Sequence, residues 1–238
     1  MPVAIITGAS RGFGRATAAA LADRGWALVL DARGADDLAA AADELRGRTT
    51  VTALAGDVAE AEHRADLVAA ALGLGGLDLL VNNASSLGPS PLPALATFPL
   101  DALSDLFETN VVGPLGLVQA ALPHLRAAGG TIVNITSDAA VEGYEGWGGY
   151  GASKAALDQV GRVLAAEEPG VRVYTFDPGD MRTQMHQDAF PGEDISDRPE
   201  PETVVPALLQ LLDARPAGGR YRASHLEADL AASRGAVR

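Results

Sequence analysis

Tyr150 and Lys154 stand four residues apart in a stretch whose apolar residues, Ala152, Ala155, Ala156, Leu157, Val160 and Leu164, recur at helical spacing. Residues i and i+4 share one helix face, so the phenol and the ammonium point the same way. A free tyrosine has a pKa of about 10 and exchanges protons poorly at neutral pH. An ammonium one turn away favours the phenolate and is expected to lower that pKa. Proton transfer works best when the pKa lies near the working pH. The pair therefore suits giving a proton to a carbonyl oxygen, or taking one from an alcohol.

A second chemical signal lies at the N-terminus. Residues 3–7 form an apolar run without alternation, the pattern of a strand buried on both faces of a parallel sheet. Gly8-Ala9-Ser10-Arg11-Gly12-Phe13-Gly14 follows directly, and then Phe13, Ala16, Thr17, Ala20 and Leu21 fall at helical spacing. Strand, glycine turn and helix together suit a dinucleotide. The glycines admit a pyrophosphate, and the helix N-terminus offers free N–H groups and the positive end of its dipole.

The rest of the chain continues the alternation. Further strands are expected at 26–30, 50–55, 77–81, 130–136 and 171–176, with a short one near 219–222. Helices are expected between them, among them one long helix over 100–127 that carries Asn110 and bends near Pro114, and the Tyr150 helix running to about 168. Four glycines in 143–149 make a pliable loop ahead of Tyr150. Residues 178–202, rich in Pro, Asp and Glu, read as an irregular flap. A last amphipathic helix (Val205, Leu208, Leu209, Leu212) and a polar tail complete the chain. No repeat or domain boundary interrupts this order. The expected fold class is α/β: one Rossmann domain over 1–238, a doubly wound parallel sheet of about seven strands with helices on both faces. Ligands of such sheets bind at the carboxyl ends of the strands. Gly8, Arg33, Asp57, Asn83, Ser137 and Pro178 all sit at such ends.

Composition narrows the partners. A net charge of -13 disfavours nucleic acid and anionic membrane. No run reaches the length of a membrane span, and the chain enters a strand at Val3 without room for a signal peptide, so a cytoplasmic protein is expected. Cysteine is absent, and the four histidines (His63, His124, His186, His225) are scattered. No metal site is therefore expected, and each histidine reads first as a surface or boundary residue. Asn83-Ala84-Ser85 and Asn134-Ile135-Thr136 match the glycosylation pattern but lie at or near buried strand ends, where they read as chance matches.

Taken together, these motifs resemble the short-chain dehydrogenase/reductase family, over almost the whole chain. Thr7 to Gly14 is similar to its cofactor loop, and Asp57-Val58 to its adenine contact. Asn82-Asn83-Ala84 is similar to its Asn-Asn-Ala-Gly motif, with Ser85 where glycine is usual. Asn110, Ser137, Tyr150 and Lys154 match its catalytic four. Pro178-Gly179, Met181 and Thr183 resemble its segment beside the nicotinamide. The resemblance implies Tyr150 as general acid in reduction and base in oxidation. It implies that Lys154 lowers the Tyr150 pKa and holds the nicotinamide ribose, that Ser137 bonds the substrate oxygen, and that Asn110 supports a water on the proton path. It also implies that Gly8, Ser10, Arg11, Gly12, Phe13, Gly14, Arg33, Asp57, Val58, Asn83, Ala84 and Ser85 cradle the cofactor.

Cofactor choice turns on the second strand. Ala32 falls where NAD-preferring members carry an acid, and Arg33 falls one residue later. Arg33 and Arg11 together suit a 2'-phosphate. NADP(H) is thus favoured over NAD(H). Alternation turns Asp31 away from the adenosine, whereas a one-residue slip would bring it in and favour NAD(H). The expected activity is NADP(H)-dependent interconversion of a carbonyl and a secondary alcohol. The alternatives are an NAD(H)-dependent alcohol dehydrogenase, epimerisation or dehydration through a transient ketone, and a dinucleotide-binding regulator without turnover. The substrate is a small molecule, and Asp138, Trp147, Met185, His186 and Phe190 are candidates for its pocket, with Met181 nearby. Asp138 and Glu145 would suit a basic or polyhydroxylated substrate, or are simply exposed loop acids. A homodimer through the Asn110 and Tyr150 helices is implied. A tetramer is not assumed, because the C-terminus lacks the family's apolar strand with Asp-Gly-Gly.

Overall fold

The apolar runs become seven strands: β1 (Val3–Ile6), β2 (Ala27–Ala32), β3 (Val51–Ala55), β4 (Leu79–Asn82), β5 (Thr131–Ile135), β6 (Arg172–Asp177) and β7 (Gly219–Arg222). The computed structural model, which describes residues 1–235, joins them in one sheet of order β3-β2-β1-β4-β5-β6-β7. Every neighbouring pair is parallel. The helices are α1 (Gly12–Asp23), α2 (Ala35–Arg46), α3 (Ala61–Gly73), α4 (Leu100–Phe107), α5 (Gly113–Ala128), α6 (Gly148–Glu167), α7 (Gln184–Ala189), α8 (Pro201–Ala214) and α9 (Leu226–Gly235).

Period-two alternation splits the strand residues between two cores. Ala4, Ile6, Leu28, Leu30 and Ala32 face α1, α2 and α8, where they meet Leu21, Leu38, Leu45 and Leu208. Val3, Ile5, Ala27 and Val29 face α3 and α5, where they meet Leu67, Leu117 and Leu125. Helices therefore cover both faces. The strand order reverses between β1 and β4, which opens the crevice at their carboxyl ends.

Three expectations change. The long helix over 100–127 is two helices joined without a break through a π turn at Glu108–Val112. The disturbance expected near Pro114 takes this form: a proline lacks the N–H for, and its ring crowds, the carbonyl four residues back, which is that of Asn110. The flap at 178–202 contains one ordered turn, α7, capped by the Thr183 hydroxyl on the His186 N–H, and it leads into α8. The polar tail is helical over Leu226–Gly235, with Leu226 and Leu230 packed under α8; residues 236–238 lie outside the described residues.

Candidate active site

The glycine loop is shaped by close contacts. Gly8 has φ 63°, a left-handed conformation that favours glycine. A Cβ on Gly14 would lie 2.4 Å from the Gly8 carbonyl oxygen and 2.5 Å from Asn83 Nδ2. That amide donates to the carbonyls of Thr7 (2.9 Å) and Gly8 (3.1 Å), while Thr7 Oγ1 accepts the N–H groups of Asn83 and Ala84. The ends of β1 and β4 are thereby locked together. Both glycosylation-pattern asparagines serve structure: Asn83 does this work, and Asn134 is buried in β5 against Asn82. No side chain caps the start of α1, so its first-turn N–H groups remain available to an anion.

This loop opens a cleft of about 590 Å³ across the carboxyl ends of the strands. Gly8, Ser10, Arg11, Gly12 and Phe13 form one end, with Arg33, Asp57 and Val58 beside them. Asn83, Ala84, Ser85, Ser137, Tyr150 and Lys154 form the middle. Pro178, Gly179, Met181, Thr183, Met185, His186 and Trp147 close the other side. Gly14, Asn110, Asp138 and Phe190 stand behind this lining. The pieces suit a dinucleotide: a glycine loop without room for side chains, an uncapped helix start, and two guanidinium groups. Among the described residues the side chains of Arg11 and Arg33 have neither an ion pair nor a hydrogen bond, in contrast to that of Arg15, which is held by Glu44.

Tyr150 is buried, and its environment departs from the expected one. Desolvation, and then the negative charge of Asp177, hold its phenol well above the ordinary range. The hydroxyls of Ser137 and Ser85 act in the opposite direction without overcoming burial. Lys154 Nζ lies 5.6 Å from the ring centroid and donates to the Ile135 carbonyl at 2.9 Å. Lys154 is 2% exposed, and burial lowers its pKa to about 8, against the pull of Asp158. The expectation that Lys154 brings the phenol down is therefore corrected: burial, and then Asp177, hold the phenol up, and Tyr150 is a neutral O–H at pH 7.

Asn110 is fully committed. From the π turn its amide donates to the Ser86 carbonyl and to Ser153 Oγ, both at 2.9 Å, and its oxygen accepts the Ser86 N–H and the Ser85 hydroxyl. Ser153 in turn donates to the Tyr150 carbonyl. Asn110 thus ties the 85–86 loop to α6. Ser137 donates to Asp138 Oδ1 at 3.0 Å, and Tyr144 donates to Asp138 Oδ2 at 3.0 Å. With both oxygens engaged, Asp138 offers little to a basic or polyhydroxylated substrate. The surroundings of Tyr150 are apolar instead: Leu87, Ala139 and Ala189, with Leu92, Trp147, Met185 and Phe190 packed on them. Trp147 meets Tyr150 edge-on at 5.6 Å and Phe190 at 5.8 Å. His186 is buried against Phe190, and its Nε2 has no partner among the described residues.

Two charged clusters escaped the sequence reading. Arg220 donates to Asp158 (3.0 Å), Asp177 (2.9 Å) and the Ser137 carbonyl (3.0 Å), and Arg222 also reaches Asp177. A register signal existed, because Asp158 is one turn past Lys154 and Asp177 pairs with Arg222 across β6 and β7. The other cluster is Asp31 with His63, at 2.6 Å. Burial pushes the Asp31 carboxyl up, while His63 and the Gly8 N–H draw it back. Nothing in the sequence linked a strand-end acid to a histidine 32 residues later.

The short chain dehydrogenase family matches residues 2–194. The chain belongs to this family of oxidoreductases. Sepiapterin reductase of Mus musculus is 36% identical over 199 residues, covering 78% of this chain and 76% of its own. An uncharacterized oxidoreductase of Mycobacterium tuberculosis is 34% identical over 241 residues, covering 95% of this chain and 90% of its own. An alcohol dehydrogenase from the archaeon Thermococcus sibiricus, solved in complex with 5-hydroxy-NADP, has a TM-score of 0.84 and 31% identity, with 93% of this chain and 95% of that chain covered. Within the short-chain dehydrogenase frame, the cleft at the carboxyl ends of β1 and β4 is where an NAD(P) dinucleotide belongs. No helix of the described residues is long and apolar enough to cross a membrane.

Proposed function

We propose that the protein is an NADP(H)-dependent carbonyl reductase, with Tyr150 as the proton donor. The observation that carries this reading is the convergence of Ser137, Tyr150 and Lys154 on the same cleft wall as the glycine loop and the two unpaired arginines. When bound, the nicotinamide supplies the hydride to the carbonyl carbon. Tyr150 gives its proton to the carbonyl oxygen; its raised pKa keeps it protonated at neutral pH but makes it a weaker acid, so donation calls for stabilisation of the phenolate. Ser137 orients that oxygen, and Lys154, with a pKa near 8, stands within the same buried pocket to stabilise the phenolate. Gly8 to Gly14 and the start of α1 would hold the pyrophosphate, Asp57 and Val58 the adenine, and Arg11 with Arg33 a 2'-phosphate.

The apolar walls around Tyr150 suit an uncharged carbonyl compound with a flat or bulky apolar group, with Trp147, Met185 and Phe190 as its contacts. A reductase and an alcohol dehydrogenase among the relatives support the reaction class. The chain acts as one NAD(P)-binding domain with 178–202 as its substrate flap, in a reducing, cytoplasmic setting. Exposed Val112 and Val163, beside α5 and on α6, support a homodimer through those helices. A second reading, an NAD(H)-dependent alcohol dehydrogenase, rests on Asp31 at the end of β2. The test is NADPH oxidation against a panel of aryl and alkyl ketones, with the wild type and Tyr150→Phe. Turnover should fall by about 10²- to 10⁴-fold in the variant, the usual worth of a general acid, with NADPH affinity retained. Undiminished turnover would sink the acid assignment.

A further inference from the structure

Asp31 stands at the end of β2, one residue before Ala32 and two before Arg33, and belongs to the cleft wall. A carboxylate there would accept a ribose hydroxyl and repel a 2'-phosphate. Alternation instead places it on the α3 side of the sheet, with Ala27 and Val29. His63, in the first turn of α3, meets it there, Nε2 to Oδ1 at 2.6 Å. The Asp31 side chain is 2% exposed and that of His63 is 11% exposed. The imidazole is wedged against Gly56, where a Cβ would come within 2.3 Å of Nδ1. Gly56 and Asp57 follow β3 directly, so the ring is clamped between the strand end that carries Asp31 and the residues that line the adenosine end of the cleft.

We propose that His63 is a positioning residue for cofactor selection: it holds the Asp31 carboxylate away from the ribose, and so leaves Arg11 and Arg33 to set a preference for NADPH. Because a carboxylate only accepts, Nε2 carries the proton in this pair. The charged groups at this end of the cleft are Asp31 on β2, Asp57 after β3, Asp37 on α2, Arg11 in the glycine loop, Arg15 on α1 and Arg33 after β2. Of these cations, Arg15 is held by Glu44, and the side chains of Arg11 and Arg33 are unpaired. Removing His63 would leave the Gly8 N–H as the remaining restraint on the Asp31 carboxylate and let it turn toward the ribose hydroxyls, with its charge no longer offset beside a 2'-phosphate. The inference rests on the proposed NADPH preference.

The test is titration with NADPH and NADH by reduced-nicotinamide fluorescence. The proteins are the wild type, His63→Ala, His63→Gln, and the double variant Asp31→Asn with His63→Ala. The ratio of the two affinities is the readout, because a merely structural loss would weaken both alike. His63→Ala should shift the ratio toward NADH by about tenfold, the scale of one added charge near the phosphate. The double variant, which removes the charge, should recover the preference for NADPH. His63→Gln keeps a donor and guards against failure of His63→Ala to fold; it should keep most of the preference. An unchanged ratio in His63→Ala, beside a wild type that prefers NADPH, would overturn this inference alone. A wild type that prefers NADH would overturn the NADPH reading and this inference with it.

Discussion

Tyr150 and Lys154 show how one residue pair reads differently in sequence and in space. Their spacing and shared helix face are legible in the chain, and so is the proton chemistry they suit. Their pKa values are not, because burial is a property of the fold. Desolvation, together with Asp177, holds the phenol up, and desolvation of Lys154 lowers its pKa from 10.5 to about 8. The lysine shift has a consequence for stability. Between about pH 8 and pH 10.5 the unfolded chain binds a proton at Lys154 that the folded chain does not. Stability therefore rises with pH across that window, and the penalty for burying the ammonium is complete below it. Lys154→Met should stabilise the protein at pH 7 by on the order of 2 kcal/mol, somewhat less than the full shift because a bond to Ile135 is lost. The gain should fade by about pH 10. Urea unfolding at the two pH values checks this, and an equal gain at both would show that the lysine is not buried as a charge.

At the scale of elements, the glycine loop and the Tyr150 helix were legible because each carries its own local signal. The π turn around Asn110 was not. Pro114 marks a disturbance near it, but a helix interior gives the same apolar period with or without one extra residue, so its form as a π turn around Asn110 does not show. β7 is the other lesson. Its sequence, Gly219-Arg220-Tyr221-Arg222, shows a departure from the family's ending but does not reveal what the departure does. In space Arg220 joins β7 to β5 through Ser137, to β6 through Asp177 and to α6 through Asp158. Both acids are nearly fully buried. Removing one partner of a buried ion pair strands the other charge, at a cost of about 3 to 5 kcal/mol. Arg220→Met should destabilise the fold by about that amount, as read by urea unfolding at pH 7. A change below about 1 kcal/mol, the usual worth of an exposed pair, would show that the cluster is solvated.

The whole molecule was the most legible level. Strands without alternation, separated by helical stretches, admit few arrangements once crossovers are right-handed and both sheet faces are covered. The seven-stranded parallel order follows, and with it the convergence of motifs that lie far apart in sequence. What the chain order could not supply was which side of the sheet each strand-end residue faces in relation to a distant helix. Asp31 with His63, and Asp177 with Arg220, depend on that, and both bear on the chemistry of the cleft.

The most direct test of the account is titration of the purified protein with NADPH, followed by reduced-nicotinamide fluorescence, with NADH in parallel. NADPH should bind saturably, and NADH more weakly by about tenfold or more, the scale of a charged hydrogen bond to one phosphate. Binding of neither cofactor would contradict the account at its root.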